Sequence, residues 1–343
     1  MVIDANVYWF PEAMFEDDAL RARFFMDIPR GYDTNGKMIL RNGKKQIVIE
    51  RPIGCPGVDY IQGDYTLEGM IAALDEAGID RAVMKVPCVH EWMSLDMCRY
   101  FNDGMVDFAR RSGGRLIALA VIPPWGHEAQ LAELERCYTQ LGMRGVQLCA
   151  HYGEYYLDDD VFAPLFERLN AYGMNAYVHH TPVPVEYASI ADYNNLRRSL
   201  GRCMDQLTAV GRELFSGMFD KYPNVRLIHS MLGGGFFTFS EMLMPHGPTA
   251  SDASGRFNAT PESMRRHLAN NVFFEMSHAQ PWGKVLLETA VKVLGADHIL
   301  YGSSSPVKAE WMRGGPDFVR ALEVSEDDKA LMLCENAKRL YQI

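Results

Sequence analysis

No two cysteines in this chain are spaced Cys-x-x-Cys. The seven present (Cys55, Cys88, Cys98, Cys137, Cys149, Cys203, Cys334) are an odd number, widely scattered. That excludes a cysteine-built zinc site and argues against a disulfide framework, so the thiols read as reduced and mostly buried. Positive charge is scarce too: 34 Lys and Arg stand against 44 Asp and Glu, a formal net charge of −10, and the basic residues are not clustered. Phosphate backbones and acidic membranes need a concentrated positive face, so neither nucleic acid nor a membrane is an expected partner. No apolar run reaches the length of a membrane span, and the opening Met1-Val2-Ile3-Asp4-Ala5-Asn6 lacks the basic region of a secretion signal. A cytoplasmic location is therefore expected. Low-complexity tracts and internal repeats are also missing, and 48% hydrophobic with 23% charged residues is a globular composition.

What is present is an alternation. Short apolar, β-branched runs recur between segments of helical period, the pattern of a parallel sheet. The expected strands are Val2 to Asp4, Arg81 to Val86, Leu116 to Val121, Gly145 to Cys149, Asn175 to His179, Arg226 to His229, Val272 to Glu275 and Ile299 to Tyr301. Between them, Leu67-Met70-Ile71-Leu74 and Leu131-Leu134-Tyr138-Leu141 repeat with helical spacing and end in turns at Gly78 and Gly142. Eight such units predict an α/β fold, a (β/α)8 TIM-type barrel forming one domain over residues 1–343. Residues 30–58 break the repeat and read as a small β-hairpin insertion after strand one, turning at Asn42-Gly43, where a tight turn needs positive φ. Residues 244–260, rich in Pro, Gly, Ser and Ala, read as a long loop after strand six.

In such a barrel the chemistry sits at the carboxyl ends of the strands. The residues there are polar: Asn6 and Tyr8 after strand one, His151 after strand four, His179 and His180 at strand five, His229 at strand six, Glu275 and His278 at strand seven, and Ser303-Ser304-Ser305 at strand eight. Five of the ten histidines thus gather at one mouth. The serines are no nucleophile elbow, since the Gly-x-Ser-x-Gly spacing is absent. Trp9, Trp92, Trp125 and Phe236 follow strands one, two, three and six and are candidates to wall an apolar substrate, with core packing as the alternative.

The chain resembles the amidohydrolase-related barrels that include aminocarboxymuconate semialdehyde decarboxylase and the resorcylate and carboxyvanillate decarboxylases. The resemblance rests on Ile3-Asp4 with Pro11, Leu141-Gly142-Met143-Arg144-Gly145-Val146, Tyr177-Val178-His179, and the run from Tyr222-Pro223-Asn224 to His229 with Gly233-Gly234. It continues in Tyr301-Gly302-Ser303 with Pro306 and in Asn336-Ala337-Lys338-Arg339-Leu340. The family's strand one reads Asp-x-His-x-His and its strand eight Gly-Ser-Asp-x-Pro. Here those positions hold Asn6, Tyr8 and Ser304, and only His179 keeps the type of a metal ligand. Amide, hydroxyl and phenol are poor zinc ligands, so no metal is expected. A displaced zinc or other divalent ion held by His179, His180, His229, His278 and Glu275 is the alternative. It is disfavoured because adjacent His179 and His180 would point to opposite faces of a strand.

The resemblance implies that His229 is the proton shuttle and that an arginine, here Arg51, holds a substrate carboxylate. His179 is then a second acid or base, and Tyr8, Asn6 and Ser304 supply hydrogen-bond donors where the metal stabilised negative charge. His151, Glu275 and Trp9 complete the candidate substrate-binding set, with Glu275 also placed to orient a histidine. The favoured reading is a metal-independent lyase, a decarboxylase or a hydratase- or dehydratase-like enzyme, acting on a small carboxylated, conjugated or aromatic compound. A hydrolase of an amide, ester, lactone or activated C–C bond and an inactive ligand-binding barrel remain open. The resemblance also implies a homodimer.

Overall fold

In the computed structural model the described residues are 1–29, 34–51, 53–87, 89–181, 185, 188–190, 193, 196–245 and 259–343. Most of the expected loop 244–260 and the first residues of the expected insertion, 30–33, lie outside them. The barrel strands are, in order, Ile3–Tyr8, Arg81–Lys85, Leu116–Ala118 continued by Ala120–Val121, Gly145–Cys149, Asn175–His179, Arg226–His229, Val272–Glu275 and Ile299–Leu300. Each pairs in parallel with its sequence neighbours, from strand one through strand eight. The ring is completed where strand eight runs into strand one: Ala5 N–H donates to Tyr301 O at 2.8 Å, Tyr8 N–H to Ser305 O at 2.7 Å and Ser304 N–H to Asn6 O at 2.7 Å. The (β/α)8 barrel expected from the strand and helix alternation is the observed fold.

The apolar residues divide into two layers because side chains on a strand alternate between faces. Ile3, Ala5, Val83, Leu119, Tyr177, Ile228, Phe273 and Leu300 fill the barrel, and Ala337, Leu340 and Tyr341 of the last helix, Asn336–Tyr341, cap that inner cluster. The larger cluster lies between strands and helices. Helices Leu67–Glu76 and Glu128–Thr139 form where the sequence repeats predict them, and the chain turns with positive φ at Gly78 and Gly142. Strand one carries a β-bulge between Asp4 and Val7. A bulge re-aims side chains, and here both Asn6 and Tyr8 face the barrel interior beyond it.

The insertion after strand one is a three-stranded antiparallel sheet rather than a hairpin alone: Asn35–Arg41, Lys44–Glu50 and Pro56–Ile61. Asn42 and Gly43 make its first turn with φ of 53° and 76°, as a tight two-residue hairpin requires. The third strand extends it past residue 58. Tyr60 ties the sheet to the barrel by stacking on Phe10 at 4.1 Å and donating to Pro87 O at 2.7 Å. The sheet consequently overhangs the carboxyl ends of the strands. No helix among the described residues is long and apolar enough to cross a membrane.

Beyond strand six, Met231, Leu232, Gly233, Gly234 and Gly235 all have positive φ, from 50° to 86°. A Cβ on Gly234 would lie 1.8 Å from the Cys203 carbonyl oxygen. Gly234→Ala is therefore expected to cost about 3 kcal/mol or more. Gly113→Ala, at φ 65° with open space around it, should cost only about 1 kcal/mol. Thermal melting of the two variants checks the contrast, and equal losses would remove the steric argument.

Candidate active site

The carboxyl ends of strands one, five and eight bring Tyr8, His179 and Ser304 together. The Tyr8 hydroxyl lies 2.9 Å from His179 Nε2 and 3.4 Å from Ser304 Oγ. His179 Nδ1 lies 2.8 Å from the His180 carbonyl oxygen, which can only accept. Nδ1 therefore carries the ring proton, and Nε2 takes a hydrogen bond from the Tyr8 O–H. Burial, reinforced by neighbouring His90, pushes the His179 pKa well below the usual histidine range, so the ring is neutral. The strand ends at His179, and with it the alternation that would send His180 to the opposite face. The two rings stack at 4.2 Å. His180 is buried, its Nδ1 is 3.4 Å from Ser230 Oγ, and its Nε2 has no partner among the described residues. Burial, then His179 and Arg202, hold its pKa well down.

Below this pair lies a polar floor. Asn6 Nδ2 donates to the Tyr177 hydroxyl at 2.9 Å, Ser304 Oγ at 3.0 Å and Glu275 Oε2 at 3.3 Å. Tyr177 donates to Glu275 at 2.8 Å, and the Ser277 N–H donates to the other Glu275 oxygen at 2.5 Å. Gly302 makes room for that carboxylate, since a Cβ there would stand 2.0 Å from Glu275 Oε1. Asp4 Oδ1 accepts the backbone N–H of Asn6 and of Ser303, each at 2.9 Å. Lys85, fully buried at the end of strand two, donates to Ala5 O at 2.8 Å and places Nζ 3.0 Å from the centre of the Tyr177 ring. Burial raises the Asp4 pKa to about 7 and raises that of Glu275. It lowers that of Lys85 well below the usual lysine range, against the pull of Glu275 and Asp4.

Above the floor, a two-lobed cavity opens between the barrel rim and the inserted sheet. One lobe is lined by Arg51, His90, Glu91, Trp92, His179, His180 and three arginines of one helical segment, Arg197, Arg198 and Arg202. The other holds about 340 Å³ and is bounded by Tyr8, Val58, Tyr65, His180, Arg198, Arg202 and His278. That volume lies at the small end of the range of small-molecule pockets. Arg51 reaches the cavity from the insertion, where its guanidinium pairs with Glu91 at 2.8 Å. His90 is held by Gln147 Nε2 at 3.1 Å and by Cys149 Sγ at 3.0 Å, and its ring meets His179 edge-on. Burial takes its pKa down to about 3. Two non-glycine residues of the site have positive φ: His278 beside the cavity at 58° and Ser304 in the floor at 64°.

Three residues expected at the mouth lie elsewhere. His229 points outward between strand and helix, with Nε2 2.7 Å from Glu213 Oε2 and Nδ1 3.0 Å from Gln206 Oε1, both on helix Arg202–Phe215. Its register explains this: Tyr177 pairs with Ile228, so on strand six Ile228 is the inward residue and His229 the outward one. Trp9 likewise follows inward Tyr8 and packs on Phe101 and Phe108 of helix Leu95–Arg111. His151 is engaged by Asp205 at 2.7 Å and Thr181 at 3.0 Å and is not among the cavity-lining residues. Asn6, Ser304 and Glu275 are in the floor beneath the cavity, Tyr8 and His179 face it, and Arg51 lines it. Of the other rings, Trp92 lines the cavity, whereas Trp125 packs on Phe162 and Phe236 on Phe274. The sequence reading overlooked Lys85, His90, Arg198 and Arg202. A lysine ending the apolar run Arg81-Ala82-Val83-Met84-Lys85 was a legible signal; the arginines follow no strand and gave none.

Known proteins can now be set beside this geometry. The chain is 25% identical over 252 residues to the 2-amino-3-carboxymuconate-6-semialdehyde decarboxylase of Dictyostelium discoideum, covering 71% of this chain and 66% of that relative. The 5-carboxyvanillate decarboxylase structure from Sphingomonas paucimobilis superposes with a TM-score of 0.80 at 22% identity, over 100% of this chain and 99% of that one. The corresponding enzyme of Novosphingobium aromaticivorans, solved with manganese and a nitrobenzoic acid, gives 0.76 at 20% identity, over 100% and 96%. These likenesses show the fold. The donor set here does not suit such an ion: an amide turning its N–H groups inward, a phenol, a hydroxyl and one imidazole whose free lone pair already accepts a hydrogen bond. Among the described residues no three His, Cys, Asp or Glu side chains are grouped to hold a metal. The family pattern described as Amidohydrolase matches residues 72–343, which include strands two to eight. The chain belongs to the amidohydrolase family.

Proposed function

We propose that this protein is a carbon–carbon lyase that removes CO2 from a small aromatic or conjugated carboxylate without a metal ion, using the Tyr8–His179 couple for proton transfer. The relatives named as decarboxylases support the reaction class. The observation that carries the mechanism is the 2.9 Å contact between Tyr8 and a histidine whose other nitrogen is tied to a carbonyl, at the base of a cavity lined by arginines.

Decarboxylation of such an acid breaks the bond between ring and carboxylate and forms a C–H bond, consuming one proton. Tyr8 is the donor: its O–H proton passes to the carbon bearing the carboxylate, CO2 departs, and the phenolate regains a proton from solvent. His179, neutral and fixed in one tautomer, orients the phenol through Nε2. Arg198 and Arg202, which border both lobes, attract the carboxylate, and His180 lines both lobes beside them. Trp92, Ile49 and Val58 give the cavity its apolar walls. His229, outside the cavity, takes no part.

Tyr8→Phe and His179→Gln are each expected to lower kcat about 10²- to 10⁴-fold. His229→Gln should leave kcat close to that of the unaltered protein while lowering the melting temperature, because Glu213 loses its buried partner. The assay is CO2 release from a panel of hydroxybenzoates and muconate-like acids. If Tyr8→Phe turned over at the full rate, the couple would have no catalytic role. Metal analysis of chelator-free protein should find far less than one divalent ion per chain, and chelators should not reduce turnover. One manganese per chain, lost together with activity, would end the metal-free reading.

Asp4 gives the fold a pH signature. Its folded-state pKa, about 7, lies above the roughly 3.9 of a free aspartate, so the folded protein binds the proton more tightly than the unfolded chain. The stability this contributes is full below about pH 4 and is lost as pH rises toward 7. The melting temperature should decline between pH 5 and pH 8, and less steeply in Asp4→Asn. Parallel profiles would mean that Asp4 does not titrate in that range.

A further inference from the structure

Lys85 is absent from the chemistry described so far, yet it is a fully buried cationic side chain in the floor beneath it. It pairs in register with Tyr8 across strands one and two, so both side chains project into the barrel at the same level. Its Nζ contacts the Ala5 carbonyl and the face of Tyr177, and the Tyr177 hydroxyl in turn bonds both Asn6 and Glu275. Asp4 and Glu275 supply two carboxyls to the same floor, and one oxygen of Asp4 has no partner among the described residues. Burial works against the proton on Lys85. The two carboxyls, the carbonyl dipole and the negative face of the ring all favour it. A buried charge persists only where such compensation surrounds it.

We propose that Lys85 supplies the positive charge of the barrel floor and that its ammonium and a divalent cation are mutually exclusive there. One structure of similar fold was solved with manganese bound. In this chain the groups at the ends of strands one and eight are neutral donors, and a cation comes from the side, on strand two. Lys85 then acts as a positioning residue. It balances Glu275, and through Glu275 and Tyr177 it fixes the donor face of Asn6 toward Ser304, which in turn contacts Tyr8. Lys85 and the restored ligand at position 8 are register partners on adjacent strands, and like charges in a low-dielectric interior repel strongly, so restoring metal ligands alone would not restore a metal site. This inference rests on the metal-free reading, which metal analysis of the unaltered protein tests separately.

The experiment is manganese binding by calorimetry to the Asn6→His/Tyr8→His/Ser304→Asp variant, with Lys85 retained and with Lys85→Met added, each checked for folding by circular dichroism. Binding at least tenfold tighter in the variant lacking Lys85 is expected. Equal or weaker binding there would overturn the proposal. A stability cycle on the otherwise unaltered chain provides a second readout that does not need those variants to fold. Lys85→Met alone should melt well below the Lys85→Met/Glu275→Gln double variant, because removing both charges leaves none uncompensated. Additive losses, or a double variant that folds no better than Lys85→Met, would show that Lys85 is held by packing rather than by charge.

Discussion

The pleat of a closed parallel barrel governs this structure. Once the backbone hydrogen bonds of Ala5, Tyr8 and Ser304 join strand eight to strand one, each strand residue faces either the barrel interior or the helices. Register then fixes which polar groups meet. Tyr177, Glu275 and Lys85 meet in the floor because they occupy inward positions, and His179, two residues further along strand five, stands above them, whereas His229, one residue after inward Ile228, faces Gln206 and Glu213. The bulge in strand one is the local exception that brings both Asn6 and Tyr8 inside. Without it the first strand would not deliver two polar groups to one cluster.

Electrostatics follows from that placement. Burial works against charge on the buried groups of the floor and mouth: the pKa values of His90, His179, His180 and His278 fall, those of Asp4 and Glu275 rise, and that of Lys85 falls, with the mutual attraction of Lys85 and Glu275 opposing both shifts. Such a site favours chemistry by hydrogen bonding and single proton transfers. Besides Lys85 in the floor, the cationic side chains are set above it, where Arg198 and Arg202 border both lobes of the cavity and Arg51 is countered by Glu91. The rim is thus cationic above the Tyr8–His179 pair. The overhanging sheet encloses the space between them, anchored by the stacking of Tyr60 on Phe10.

Much of this was legible in the order of residues. The eight apolar runs, the Asn42-Gly43 turn and the glycines ending helices carry local instructions, because hydrophobic period and backbone permissiveness act over a few neighbours. The replacement of ligand-type residues by Asn6, Tyr8 and Ser304 was equally visible. The direction of His229 was not, because a strand's inward face depends on register with both neighbours. Nor was the stacking of His179 on His180, which follows from where the strand ends. Arg197, Arg198 and Arg202 reach the mouth from a helical segment that no strand-end rule points to.

The sequence by itself determined the barrel, its insertion and the loss of the inherited ligand types, since these depend on local period, turn chemistry and residue identity. Only the tertiary structure decided which of the histidines face the cavity, that Lys85 lies beneath Tyr177, and that Arg51 is already paired. Those outcomes depend on contacts between residues far apart in the chain. Their geometry is set by strand register and by the balancing of buried charge, neither of which has a local signature.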